Sequence, residues 1–212
     1  MAGGRFITFE GGEGAGKSTQ VALLAEALRR TGLSVHTTRE PGGSPGGEEI
    51  RKLLVTGAVE RWDPLCEALL HFAARRDHLQ KIVLPRLEAG DWVLSDRFAD
   101  STMAYQGYGQ GLGRQPVEAL YRLVVGDFAP DLTLILDVPV AVGLKRATGR
   151  RDNEDRYERF GSAVHERLRE AFREIARREP GRCALIDASG DVASVHGAVR
   201  ARVAERLGVS FA

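Results

Sequence analysis

Cysteine is almost absent. Cys66 and Cys183 are the only two, far apart in the chain and each inside an apolar run. Such a pair gives neither a disulfide framework nor the spacing of a metal site, and it reads as two buried thiols in a reducing compartment. An excess of one charge is lacking too: 30 Lys and Arg face 29 Asp and Glu, a net charge of +1. No whole-molecule field therefore calls for a nucleic-acid or membrane partner. No apolar run approaches the ~20 residues that a membrane-spanning helix needs. Met1-Ala2-Gly3-Gly4-Arg5 leads straight into a strand pattern without the long apolar region of a signal peptide. The expectation is a cytoplasmic protein. Repeats, low-complexity tracts and linkers are also missing, so the 212 residues read as one domain.

What is present is an alternation of short β-branched or aromatic runs with longer helical patterns, the mark of a parallel sheet with crossover helices. Residues 5–10 read as the first strand, 34–38 as the second, 92–95 as the third, 132–137 as the fourth and 183–187 as the fifth. The run 132–137 is apolar without alternation, as expected of a central strand covered on both faces. Helical spacing marks residues 18–30, where Val21, Leu24, Ala25 and Leu28 share a face and Gly32 supplies a stop. Further helices are expected at 48–55, at 65–87 with a break or end near Pro85, at 116–125, from 140, at 162–178 and at 192–207. The fold class is α/β: five parallel strands with helices on both faces. Ligands of such sheets bind beyond the carboxyl ends of the strands. Three strands end there in an acid, Glu10, Asp96 and Asp137, which suits a phosphate and metal site.

Gly11-Gly12-Glu13-Gly14-Ala15-Gly16-Lys17-Ser18 fits G-x-x-x-x-G-K-[ST], directly after a strand and opening a helix. The glycines allow the backbone to turn successive N–H groups toward phosphate oxygens, and the positive end of the helix dipole adds to that field. Lys17 is placed to reach the β- and γ-phosphates of ATP and Ser18 to ligate magnesium, with Thr19 completing the ATP segment. The loop alone does not separate a kinase from a switch, motor or transporter. An Asn-Lys-x-Asp guanine-reading motif is missing, and 212 residues leave no room for added motor or DNA-handling domains.

Further segments narrow the choice. Thr38-Arg39-Glu40-Pro41-Gly42-Gly43 follows the second strand, Glu67 to Arg75 lies on a long helix, and Asp96-Arg97-Phe98 opens a stretch expected to be a loop through Ser101-Thr102-Met103-Ala104-Tyr105-Gln106-Gly107. With the phosphate loop and Asp155-Arg156-Tyr157-Glu158, this order and spacing resemble the thymidylate kinase family, from about Phe6 to Asp187. The resemblance implies a P-loop kinase fold with a short mobile lid, and ATP- and magnesium-dependent phosphorylation of dTMP to dTDP. A kinase for another nucleotide or nucleoside is the alternative. It implies that Arg51 and Arg97 grip the acceptor phosphate, where a guanidinium fork suits the geometry. Glu13 matches the family's acidic residue near the acceptor's sugar hydroxyl and metal, and Asp96 matches a residue that positions magnesium or its waters. Arg75 is implied against a polar edge of thymine, with Thr102, Tyr105 and Gln106 completing the pocket.

Three departures from the family's pattern matter. His71 stands where an aromatic residue is usual; either it stacks on the base or Phe72 does, and adjacent residues on a helix point about 100° apart. His71 is the expected pocket residue and Phe72 the expected core residue. Phe98 replaces the usual Tyr or His and receives no role. Gly14-Ala15 lacks the catalytic arginine that some members carry in the phosphate loop. Charge developing on the transferred group must then be met from the mixed-charge segment at about 149–159, the implied lid, with Arg150, Arg151 and Arg156 as candidates. A phosphate acceptor is already anionic near neutral pH, so no general base is demanded. The resemblance also implies a homodimer, paired through helices beside the sheet.

Overall fold

Phe6, Ile7 and Phe9 are bulky and apolar, and all five positions of β1 (Phe6–Glu10) are buried, Thr8 and Glu10 included. A strand hidden on both faces belongs at the centre of a parallel sheet. The computed structural model, which describes residues 3–147 and 155–211, places it there. With β2 (Val35–Arg39), β3 (Trp92–Asp96), β4 (Leu132–Asp137) and β5 (Cys183–Asp187), the order is β2-β3-β1-β4-β5, every pair parallel. Phe6 lies opposite Val93, and Ile7 opposite Leu132. Because β1 pairs with β3 on one side and β4 on the other, a crevice opens beyond its carboxyl end, where the connections diverge.

The period of two sorts the side chains between two cores. Ile7, Phe9, Leu94, Leu134 and Ile186 face α1 (Lys17–Arg30) and α9 (Val192–Leu207). On the opposite face Phe6 and Val93 meet Phe72 of α3 (Pro64–His78) and Val117 of α6 (Arg114–Val124), while Ile135 and Cys183 meet α8 (Ser162–Arg178). Each such fully buried side chain contributes about 1.5–3 kcal/mol of transfer free energy. Between the facing cores Thr8 and Thr133 satisfy each other through a buried hydroxyl–hydroxyl bond of 2.8 Å.

Helix starts follow local chemistry. Pro45 opens α2 (Pro45–Val55) with Ser44 accepting from the Gly47 N–H, and Pro64 opens α3 with Asp63 accepting from the Leu65 and Cys66 N–H groups. Of the break or end expected near Pro85, the structure has the break: α3 runs through a π turn, Leu79–Val83, into α4 (Leu84–Glu88). The wider turn relieves the missing proline N–H and the clash of its ring with the preceding turn. Another expectation needs correction. The stretch after Arg97, expected to be a loop, is helical: α5 (Ala99–Thr102) continues as a π turn, Met103–Gly109. Two glycines and short polar residues hid the helix, which is held by packing rather than propensity. α7 (Val140–Ala147) completes the helices among the described residues.

Candidate active site

The phosphate loop follows β1. Gly14 takes φ 65°, and a Cβ there would sit 1.9 Å from the Gly143 carbonyl oxygen of α7, so the position admits glycine alone. Gly16, at φ 92°, precedes α1 without any side-chain cap. The first-turn N–H groups of α1 are thus left for an anion. Lys17 curls back over the loop and donates to the carbonyls of Gly11 (3.1 Å) and Gly12 (2.9 Å). Burial and neighbouring Arg97 bring its ammonium down to about pKa 8, against the opposing pull of Glu13, Asp96 and Glu10. Ser18 donates to Asp96 Oδ2 at 2.5 Å. Ala15 is buried, and Thr19 is exposed.

Beside the loop lies a cleft of about 260 Å³ whose walls include Glu13, Gly14, Gly16, Lys17, Ser18, Arg39, Arg51, His71, Asp96, Arg97, Tyr105, Gln106 and Tyr157. The ends of β1, β2 and β3, the helices α1, α2 and α3 and the Met103–Gly109 turn therefore converge on one space. Arg97 holds its centre. Its backbone has φ 72°, the one positive value at a non-glycine residue among the described residues, a strain of about 1–3 kcal/mol. Its guanidinium donates to the Gly11 carbonyl (3.0 Å), Ser101 Oγ (3.0 Å), Glu13 Oε1 (2.9 Å) and Tyr105 Oη (3.1 Å). The Tyr105 hydroxyl donates to Glu13 Oε1 at 2.6 Å. Burial alone would raise the Glu13 carboxyl, but Arg97, Lys17 and the Tyr105 hydroxyl overcome it and hold the group near pKa 2.

Of the three acids ending strands, only Asp96 lines the cleft. Glu10 is buried inward, accepting from the N–H groups of Phe98 (2.8 Å) and Ser101 (3.3 Å) and from Ser101 Oγ (2.5 Å); burial and Asp100 push its carboxyl up. Asp137 pairs with Arg169 and Arg173, each at 2.7 Å.

Behind the cleft sits Arg75, which with Thr102 is buried and does not line it. Its guanidinium lies between the rings of Phe72 (4.7 Å) and Phe98 (5.2 Å), giving Phe98 a role the sequence did not. It donates to Glu40 Oε2 (2.8 Å), the Phe98 carbonyl (3.1 Å) and Thr102 Oγ1 (3.2 Å). Its Nη1 is buried without a hydrogen-bond partner among the described residues, as is Oε1 of Gln106. His71 lines the cleft while Phe72 is in the core. The His71 ring nitrogen Nε2 shares a 2.8 Å bond with the Tyr157 hydroxyl. Burial and the surrounding cations Arg75, Arg97, Arg156 and Arg51 hold that imidazole near pKa 3, hence neutral.

Arg150 and Arg151, with most of the expected lid, lie outside the described residues. Arg156 is one of the three candidates for meeting the transferred phosphate, but its surroundings in the structure commit it elsewhere. It is fully buried, donates to the carbonyls of Leu54 (3.1 Å), Ala58 (2.9 Å) and Val59 (2.6 Å), and pairs with Glu67 at 2.5 Å. With its guanidinium held by the α2 carbonyl of Leu54, the two carbonyls that follow the helix and a buried carboxylate, it is turned away from a substrate. The sequence reading also missed Glu40, Glu67, Ser101 and Tyr157 as parts of the site. All four lie in segments that the resemblance rests on, Thr38–Gly43, Glu67–Arg75, Ser101–Gly107 and Asp155–Glu158, but nothing in the sequence gave them a role.

An uncapped phosphate loop opposite a polar cleft with its own arginines defines the class: a P-loop kinase for a small anionic acceptor. The family model described as thymidylate kinase matches residues 9–199. Thymidylate kinase of Caulobacter vibrioides is 54% identical over 209 residues, covering 99% of this chain and 100% of that protein. Its counterpart in Afipia carboxidovorans is 52% identical over 206 residues, covering 96% and 90%. Thymidylate kinase from Ehrlichia chaffeensis, a solved structure, superposes with a TM-score of 0.76 at 37% identity, covering 95% of this chain and 99% of that one. The chain belongs to the thymidylate kinase family.

Proposed function

We propose that the protein transfers the γ-phosphoryl group of ATP to the phosphate of dTMP, releasing dTDP and ADP. The observation that carries this reading is a pair of buried unsatisfied atoms, a donor on Arg75 just behind the cleft and an acceptor on Gln106, which lines it. Buried polar atoms without partners are costly unless a ligand supplies them. The edge of thymine offers a carbonyl for the first and an N–H for the second. His71 and Tyr105 would form walls against the ring, and Arg51 and Arg97 would hold the acceptor phosphate in line with ATP. Glu13, fixed by Arg97 and Tyr105, would then face the sugar.

Hard oxygen donors on Ser18 and Asp96 fit magnesium, which takes few protein ligands and the rest from phosphates and water. When bound, magnesium held by Ser18 and Asp96 would supply positive charge against that of the ATP phosphates. Lys17, Arg97 and the lid candidates Arg150 and Arg151 do the protein's share of that work. Leu53, Leu65, Leu69 and Leu123, exposed on α2, α3 and α6, support pairing of two copies through these helices. No helix among the described residues is long and apolar enough to cross a membrane; a dependence on ATP and dTMP favours the cytoplasm. A coupled ADP-release assay with ATP and magnesium, comparing dTMP, dUMP, dCMP, dGMP, AMP and thymidine, tests the proposal. Strong stimulation by dTMP is expected, and stimulation by another acceptor instead would overturn the pocket assignment.

A further inference from the structure

Gln106 carries an amide whose two ends are chemically opposite, a donor NH₂ and an acceptor oxygen, in nearly the same shape. Nothing in the side chain itself decides which end meets a ligand. Here the decision is made by Glu67 of α3. Its carboxylate is fully buried, and Oε1 receives Gln106 Nε2 at 2.6 Å, Gln110 Nε2 at 2.7 Å and the Tyr157 hydroxyl at 3.2 Å. Its other oxygen pairs with Arg156 at 2.5 Å. A carboxylate in that position accepts only, so the Gln106 NH₂ must turn toward it. The oxygen is then the end left over, buried and without a partner, on a residue that lines the cleft.

We infer that Glu67 is a specificity-determining residue acting through Gln106: it locks the amide so that the cleft presents an acceptor and admits bases bearing a ring N–H. The inference rests on the reading of the cleft as a pyrimidine pocket. Thymine and uracil carry the N–H at ring position 3, whereas cytosine carries a lone pair there and meets oxygen with nitrogen, a repulsive contact. The same lock therefore rejects dCMP and is indifferent to the thymine methyl, which separates dTMP from dUMP by other means. Rejection by an unpaired buried polar group is far stronger than rejection by a missing methylene.

The test is Glu67→Gln, in which the new amide offers a carbonyl or an NH₂ and lets Gln106 turn over. Dissociation constants for dTMP, dUMP and dCMP would be measured by calorimetry on the full chain. The dTMP preference over dCMP is expected to fall at least about tenfold, one well-made contact's worth, while the dTMP to dUMP ratio stays within about twofold. A loosened pocket would weaken all three ligands together and leave both ratios alone, which would overturn the inference. Gln106→Met keeps the Glu67–Arg156 pair and removes the polarity. If it narrows the dCMP ratio and Glu67→Gln does not, the pocket reading stands and the lock fails. If neither substitution moves the ratio, the pocket reading fails with it. Should Glu67→Gln not fold, NMR of wild-type protein with ¹⁵N-labelled glutamine decides. Gln106 amide protons that exchange slowly in free and dTMP-bound protein alike support the lock; amide protons protected only once dTMP is bound exclude it.

Discussion

Arg97 Nη2 and Glu13 Oε1 lie 2.9 Å apart, with the Tyr105 hydroxyl on the same carboxylate oxygen. The phosphate loop and the end of β3 are thereby joined through a charge pair inside the cleft. On the function proposed above, Arg97→Ala would remove a ligand of the acceptor phosphate and strand the Glu13 charge beside the incoming anion. Steady-state kinetics should show kcat/KM for dTMP falling by about 10²–10³-fold, with KM for ATP within about threefold of wild type. An unchanged kcat/KM would show that this pair is structural alone.

Arg156 and the two arginines before it should separate cleanly. Arg156→Ala strands Glu67 in the interior, a loss of about 3–5 kcal/mol. For a chain of this size that is a fall in Tm of roughly 10 °C. Arg150→Ala and Arg151→Ala should leave Tm unchanged, and at least one should lower kcat by about 10³-fold or more. Thermal melts beside turnover assays on the three variants decide it, and full activity in both Arg150→Ala and Arg151→Ala would remove the lid from catalysis.

His71 stays neutral in the folded protein down to about pH 3, whereas in the unfolded chain it takes up a proton near its ordinary value of 6.5. The unfolded state thus binds more protons between those limits, so stability falls as pH drops from 6.5 toward 3. In His71→Phe that share of the slope should vanish, up to about 1 kcal/mol per pH unit. Urea unfolding at pH 5 and pH 7 would reveal it; parallel losses in both proteins would count against the buried neutral imidazole.

Lys17, brought down to about pKa 8 by burial and Arg97, loses its charge as pH rises through that value. The kcat/KM for ATP should therefore decline above pH 8, by up to tenfold per unit. Saturating dTMP brings negative charge into the cleft and should move the decline to higher pH. A profile flat to pH 10 would mean the free enzyme's lysine is not perturbed.

Cys183 is buried in β5 with its thiol pushed up to about pKa 12 by burial and Asp100, while Cys66 near the start of α3 is partly exposed. A maleimide at pH 7.5 should label Cys66 in native protein and reach Cys183 only on unfolding. Mass mapping of the labelled peptides reads the result.

The sheet was legible because each strand is a short apolar run between breakers, and the phosphate loop because backbone geometry dictates its glycines. Residues 162–178, 183–187 and 192–207 have the bounds read from periodicity. The helical turn at Met103–Gly109 was not legible, since glycine and short polar residues argue against a helix that only packing against α8 and α6 sustains. Nor was the fate of Arg156: three arginines near one another in sequence look alike until the carbonyls of Leu54, Ala58 and Val59 claim one of them. Glu67 and Gln106 lie far apart in the chain, and no spacing rule links an amide to the carboxylate that orients it.

The central position of β1 also constrains how the chain comes to be folded. The middle of the sheet is the first strand made, and its neighbours, Trp92–Asp96 and Leu132–Asp137, emerge much later from the ribosome. Until then Phe6, Ile7 and Phe9 have no strand to pair with on either edge, and pairings so distant in sequence form slowly. The nascent N-terminal third should therefore be the segment most dependent on chaperone cover during synthesis, and α1, which can shield Ile7 and Phe9 as soon as it is made, its earliest intramolecular protection.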